Sequence, residues 1–174
     1  MSARSSSAAL PIARVLLRIL IVTNWLWGVA ILALLFALPH ERWIMNAFEL
    51  TPSPEADRII MALRAVATLG LAVIPLNYVF LKRLLAIVET VRDGNPFVAA
   101  NARRLQTMGW ALLALQLLGM AIGAIVKAVS TPAHPVDIDA GFSINGWLAV
   151  LLTFLLARVF AEGAVMREDL EGTV

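Results

Sequence analysis

Four long apolar segments alternate with polar, charged segments along the chain. A helix needs about 20 mostly apolar residues to cross a bilayer, because the hydrocarbon core is about 30 Å thick and each residue adds about 1.5 Å. The first segment is longer than the apolar part of a signal peptide and no small-residue cleavage site ends it, so we expect it to remain in the protein. The pattern predicts an all-α polytopic membrane protein, a single four-transmembrane-helix bundle with spans at about 15–38, 59–81, 105–129 and 142–161.

The second predicted helix extends beyond its span. Apolar residues continue at helical spacing through Leu84, Ile87, Val88 and Val91. This spacing predicts an amphipathic extension that projects from the membrane, and Asp-Gly-Asn-Pro at 93–96 then ends the helix.

Three smaller features concern helix packing. An amphipathic pattern at 43–48 predicts a short helix in the plane of the membrane interface. Pro75 predicts a kink in the second helix. Gly119 and Gly123, at Gly-x-x-x-Gly spacing, could mark a homodimer face, or they could pack inside one bundle, since every span needs neighbours.

The composition is typical of a membrane protein and excludes several kinds of functional site. Hydrophobic residues make up 60% of the 174 residues and the mean hydropathy is +0.84, well above the values of soluble domains. The absence of cysteine excludes disulfides, thiolate nucleophiles and Cys-ligated metal sites. The net charge of +2 comes from basic residues beside the apolar segments, where topology accounts for them, so we expect no direct nucleic-acid binding.

Basic residues are distributed unequally between the two sides of the predicted membrane. The loop at 130–141 carries no Lys or Arg, whereas the segments before the first span and between the second and third spans are basic. Their basic residues are Arg4, Arg14, Arg18, Lys82, Arg83, Arg92, Arg103 and Arg104. Because Lys and Arg concentrate in cytoplasmic loops, the N-terminus, the central loop and the C-terminus are predicted to be cytoplasmic.

Ionisable residues inside predicted spans are candidates for function, because burying charge in lipid is costly. Arg64 and Lys127 lie toward the outer leaflet and could bind an anion together, or each could extend its charged group to the outer headgroups. Arg158 and Glu162 are one helical turn apart, which predicts an ion pair within the bundle near its cytoplasmic boundary.

Histidines and nucleophiles give no sign of a cofactor or an enzyme. His40 and His134 both fall in predicted outer loops, so paired histidines cannot hold a haem inside the bundle. His134 with Asp137 and Asp139 could bind a metal, but a loop histidine near carboxylates is a common arrangement, and no metal site is predicted. Since no nucleophile–base pair, phosphate-binding glycine loop or intramembrane carboxylate pair is present, we expect neither a cofactor nor catalysis.

Two segments carry a resemblance to a known family. One is Asp-Gly-Asn-Pro-Phe at 93–97 with Asn-Ala-Arg-Arg-Leu at 101–105 and Gly-Trp at 109–110, and the other is the tail at 159–174, which ends in Thr-Val. They resemble bacterial four-span membrane proteins of the domain of unknown function 2975 family. The resemblance implies a bacterial cytoplasmic (inner) membrane protein, often encoded beside a helix-turn-helix regulator of the Xre/Cro type, which would be a cytoplasmic partner.

The chain departs from the family at the start of the third helix. Val-Ala-Ala at 98–100 replaces the usual Ser/Thr-Pro-Glu-like start, which removes a capping hydroxyl and a carboxylate of the first turn. Asn95 or Asn101 could provide the cap instead.

The sequence thus leaves three functional hypotheses. The first is a non-enzymatic membrane scaffold or sensor whose central loop and C-terminal tail together bind a regulatory partner. Its candidate docking residues are Phe97 and Phe160 as apolar anchors, with Arg103, Arg104, Glu162, Arg167, Glu168 and Asp169 around them. The second is a small transporter or anion-binding bundle that uses Arg64 and Lys127. The third is a purely structural role.

Overall fold

Four long helices make up the secondary structure of the computed structural model, which describes residues 5–37, 54–130 and 142–171. They are α1 (Ser5–Ala37), α2 (Pro54–Arg92), α3 (Ala99–Val129) and α4 (Ile144–Glu171). Each contains a stretch that is long and apolar enough to cross a membrane, and no strand occurs within the described ranges. The predicted all-α, four-span fold is therefore confirmed, and it indicates a multi-pass membrane protein. The predicted interface helix at 43–48 lies outside the described residues.

The helices are longer than the spans predicted from hydropathy. With 39 residues, α2 is about 58 Å long at about 1.5 Å per residue, nearly twice the thickness of the hydrocarbon core. It reaches Arg92, so the predicted extension of the second helix is confirmed. The start of α3 at Ala99 precedes the predicted span, and α4 continues to Glu171 beyond it. The ends that meet at the α2–α3 connection therefore project past the membrane core.

Packing joins each helix to its neighbour in sequence. In the described residues, the extensive interfaces are α1/α2, α2/α3 and α3/α4, so the bundle is open between its first and last helices. One apolar cluster centres on Ile60 and Ala67 of α2 and packs against α1. A second cluster brings α2, α3 and α4 together through Ile87, Leu105, Met108, Ala157 and their apolar neighbours.

A polar contact fixes α1 against the middle of α2. Asn24 is only 7% exposed, and its Nδ2 donates to the backbone oxygen of Ile74 at 3.0 Å. One turn along α1, a Cβ added at Gly28 would lie 3.2 Å from Cγ2 of Ile74, so the two backbones approach closely there. Ile74 directly precedes Pro75, and α2 remains helical through this proline.

The turn between α2 and α3 is a tight helix stop. Gly94 has a φ of +80°, a conformation that costs a residue with a Cβ but not glycine. Its N–H donates to the oxygen of Val91 at 3.1 Å, and the N–H of Asn95 donates to the oxygen of Thr90 at 3.0 Å. These two bonds form a Schellman motif, which satisfies carbonyl groups at the end of α2. Pro96 then prevents the helix from continuing.

Candidate functional site

The basic end of the molecule, where α2 ends, α3 begins and α4 ends, holds most of the residues that the sequence singles out. The N-terminal half of α1 joins it, because Nη2 of Arg14 lies 3.4 Å from Oε1 of Glu89 on α2. Two grooves also open here, of about 480 Å³ and 210 Å³. The basic end is therefore the candidate functional site.

Asn101 is the centre of a hydrogen-bond network at the basic end. It is the one described residue with a large side chain that is fully buried, at 0% exposure. Its Nδ2 donates to Oγ1 of Thr90 at 2.7 Å and to the oxygen of Pro96 at 2.8 Å. The Thr90 hydroxyl in turn donates to the oxygen of Ile87 at 2.8 Å. One amide thus ties the end of α2, the turn and the start of α3 together.

Arg104 completes this network. Its Nη1 donates to Oδ1 of Asn101 at 2.7 Å and to the backbone oxygen of Ala86 at 3.1 Å. Hydrogen bonds that involve a charged group are stronger than neutral ones, so the half-buried Arg104 braces α3 against α2. Of the two neighbouring arginines proposed for docking, Arg103 is exposed and Arg104 is engaged within the chain.

The N-terminus of α3 differs from what the sequence predicts. Val98 is the N-cap residue, and no side chain caps the helix. Asn101 instead directs its amide to Pro96, back into the turn, so the expectation that Asn95 or Asn101 provides the cap is wrong. The reason is that Asn101 lies inside the first turn of the helix, where its amide reaches partners on α2.

Phe97 connects the turn to α4. Its ring lies 5.2 Å from the ring of Phe160, measured between centroids, with the planes tilted by 37°. A Cβ added at Gly163 would lie 2.9 Å from Cδ1 of Phe97, so the glycine provides the space for this ring. Phe97 remains 43% exposed. The two proposed apolar anchors therefore pack against each other and still present an apolar surface.

The larger groove, called the α3/α4 groove here, runs between these two helices. Small side chains form much of its wall, including Ala102, Ala157 and Ala161, and Phe154 lies at one end. Its polar lining residues are Arg103, Gln106, Arg158 and Glu168. Within the described residues, the guanidinium of Arg103 and the side chains of Gln106 and Glu168 have no hydrogen-bond or ion-pair partner.

Arg158 and Glu162 approach each other on the surface of α4. Nε of Arg158 lies 3.0 Å from Oε1 of Glu162, at the i, i+4 spacing noted in the sequence. The side chains are 81% and 58% exposed, so the pair lies on the outside of the chain and not within the bundle as the sequence reading placed it. The reason is that α4 is an edge helix, with α3 as its main neighbour.

The remaining docking candidates lie on the last turns of α4. Glu168 and Asp169 are exposed and Arg167 is half-buried. Arg167 and Asp169 both take part in interactions within the structure. The partner-docking role of all these residues stays a prediction.

At the opposite end, α4 and the residues just before it line an apolar groove of about 500 Å³, which includes Phe142 and Trp147 and none of the residues predicted to bind an anion. Arg64 on α2 and Lys127 in the last turn of α3 are both exposed, and neither lines the α3/α4 groove. His40, His134, Asp137 and Asp139 lie outside the described residues. Within the described ranges, no group of three His, Cys, Asp or Glu side chains could hold a metal ion. Anion binding by Arg64 and Lys127 stays a prediction.

Comparison with known proteins identifies a family. The model of the family described as "Protein of unknown function (DUF2975)" matches residues 8–174. The chain belongs to the DUF2975 family. No curated protein and no solved structure gives a significant match.

The range matched by the DUF2975 family model contains the whole basic end, including the Asn101 network. Sequence reasoning noted Asn101 as a candidate cap and as part of a family motif, and it missed the half-buried Thr90 as a hydrogen-bonding partner. A signal was present, because a polar side chain on an otherwise apolar helix face generally finds a partner. The sequence does not show which backbone oxygen that partner is.

Proposed function

We propose that this DUF2975 protein is a non-enzymatic membrane scaffold or sensor of the bacterial inner membrane, whose basic end binds a cytoplasmic regulatory partner. The observation that carries the proposal is the contact between Phe97 and Phe160 at 5.2 Å. It joins the α2–α3 turn and the C-terminal part of α4, the two segments that resemble the family, into one continuous surface.

Rigidity of this surface supports a binding role. The buried Asn101 and the Schellman motif at Gly94 hold the turn in one conformation. A partner that binds a preorganised surface does not pay the entropy of ordering it. The positive-inside distribution of Lys and Arg favours a cytoplasmic position for this end and for both termini.

Exposed side chains beyond the apolar part of α4 provide the apolar and charged groups that a partner would contact. Val165 and Met166 are 57% and 63% exposed, and the acidic residues Glu162 and Glu168 flank them. An apolar centre with a charged rim is the usual composition of a protein interface. A partner with an apolar patch bordered by charged residues of both signs fits this surface, and a helix-turn-helix regulator is the candidate that the family resemblance supplies.

Site-specific photocrosslinking in bacterial cells tests the proposal. A benzophenone amino acid is placed at exposed Asn95 in the turn and at Met166 on α4, with Leu151, 61% exposed in the apolar part of α4, as the control. We expect Asn95 and Met166 to capture the same cytoplasmic polypeptide and Leu151 to capture none. Deletion of 167–174 should abolish capture from both positions while the protein remains in the membrane. Different polypeptides at the two positions, or capture that survives the deletion, would contradict the proposal.

A further inference from the structure

The α3/α4 groove combines two arginines with an apolar wall at the edge of the membrane core. On α3, Arg103 precedes the apolar run that begins at Leu105. On α4 (Ile144–Glu171), Arg158 directly follows the apolar run that ends at Ala157. Both guanidinium groups therefore lie near the boundary between hydrocarbon and headgroups. The same groove reaches Phe154, one helical turn from Arg158 in the direction of the membrane interior.

The register of α3 and α4 sets the two arginines at the same depth. Phe97, just before α3, contacts Phe160, and a Cβ at Gly109 would lie 2.9 Å from Cζ of Phe154. Because the helices are antiparallel, the position midway between Phe97 and Gly109 faces the residues midway between Phe154 and Phe160. That position is Arg103, and it lies opposite the segment that carries Arg158.

The donors of these arginines are largely unused within the described residues. The guanidinium of Arg103 makes no hydrogen bond, and Arg158 uses only Nε, toward Glu162. The side-chain amide of Gln106, one turn further along α3 in the same groove, is also without a partner there. Donors grouped at a membrane boundary, with an apolar wall below them, match an anionic headgroup with acyl chains attached.

We propose that the α3/α4 groove binds an anionic phospholipid, with the phosphate between Arg103 and Arg158 and an acyl chain that runs past Ala157 and Phe154 toward the membrane interior. Arginine pairs well with phosphate because its planar donors match two phosphate oxygens at once. Basic pockets between membrane helices bind anionic headgroups by this means. On the membrane side of the two arginines, Ala157 and Phe154 line the groove, and the small side chain of Ala157 leaves space for the start of the acyl chain.

The acidic residues near the groove fit this assignment. Glu162 holds Nε of Arg158 and thereby orients the guanidinium, and both of its Nη groups remain available to the phosphate. Glu168 lies ten residues after Arg158 along α4, which is about 15 Å, beside Ala99 and Val98 at the solvent end of the groove. Its carboxylate therefore does not occupy the phosphate position. A helix of a second copy fits less well, because it would bury the unpaired Arg103.

Lipid binding to the purified full-length chain in neutral detergent tests the proposal. The probes are dioleoylphosphatidylglycerol and dioleoylphosphatidylcholine, and native mass spectrometry measures the apparent Kd of the first bound lipid. The variants are Arg103→Gln, Arg158→Gln and their combination. Arg83→Gln is the matched control, because Arg83 is an exposed arginine at the same end that does not line the groove.

We expect the phosphatidylglycerol to bind more tightly than the phosphatidylcholine. Each groove variant should weaken its binding about tenfold, as the loss of one charge-assisted pair implies, and the control should change it less than about twofold. Glu162→Gln should leave binding intact or tighter, since it frees Nε of Arg158. Equal effects of Arg83→Gln and the groove variants would overturn the proposal, because binding would then follow total charge.

Two further results would overturn it by naming another occupant. If inorganic phosphate alone raises the melting temperature as much as the phosphatidylglycerol does, the groove binds phosphate and not a lipid. If the groove variants change the oligomeric mass and leave lipid binding unaltered, the groove holds a second copy of the chain. Neither result depends on the crosslinking experiment, so the lipid site and the partner surface are tested independently.

Discussion

The Asn101 network predicts a large loss of stability from one substitution. Asn101→Ala removes the Nδ2 donor from Pro96 and Thr90 and the Oδ1 acceptor from Arg104. A neutral hydrogen bond contributes about 0.5–1.5 kcal/mol and a bond to a charged group about 1.5–3 kcal/mol. The lower ends of these ranges apply, because Arg104 is only half-buried and water can partly replace its lost acceptor. We expect a loss of about 2.5 kcal/mol in the free energy of unfolding.

Unfolding in mixed micelles with increasing mole fraction of dodecyl sulfate, followed by tryptophan fluorescence, measures this loss. Asn95→Ala is the matched control, because Asn95 is an exposed asparagine in the same turn that contributes only its backbone N–H. It should cost less than about 0.5 kcal/mol. Thr90→Val removes one arm of the network, so the double variant with Asn101→Ala should lose less than the sum of the single variants, with a coupling of about 1 kcal/mol. The reasoning fails if the two asparagine variants lose equal stability, or if the double variant is additive.

Three further predictions use other parts of the chain. Gly109→Ala should destabilise the protein by about 1–3 kcal/mol in the same assay, because its Cβ would meet Phe154 at 2.9 Å, whereas Gly119→Ala, with open space around it, should not. Asn24→Val should cost about 0.6–1.7 kcal/mol through its lost interhelical bond. In intact cells, an impermeant thiol reagent should label His134→Cys and not Asn95→Cys, and the reverse pattern would refute the orientation.

Hydropathy was sufficient to predict the four helices but not their ends. Mean hydropathy marks only the apolar span, and a helix can continue beyond it. For α2 the helical spacing of apolar residues through Val91 and the Asp-Gly-Asn-Pro sequence at 93–96 predicted the true end. The start of α3 was misplaced for the same reason, since Arg103 and Arg104 interrupt the apolar run without interrupting the helix.

The candidate site was predictable in its location and not in its contacts. The clustering of basic residues and the family resemblance both indicated the basic end. Whether an arginine faces solvent or a neighbouring helix depends on interhelical register, which one sequence does not contain. Arg104 therefore proved to be engaged with Ala86 on α2, while the adjacent Arg103 is exposed.

The succession of interfaces α1/α2, α2/α3 and α3/α4 bears on how the protein is made. Each of α2, α3 and α4 packs mainly against the helix that is synthesised just before it. Each main interface between described residues can therefore form as soon as its second helix has been synthesised. Contacts between neighbours in sequence form quickly, because little chain entropy is lost in closing the loop between them. Assembly can thus proceed helix by helix during insertion, with the Gly94 turn closing one hairpin before α4 has been translated.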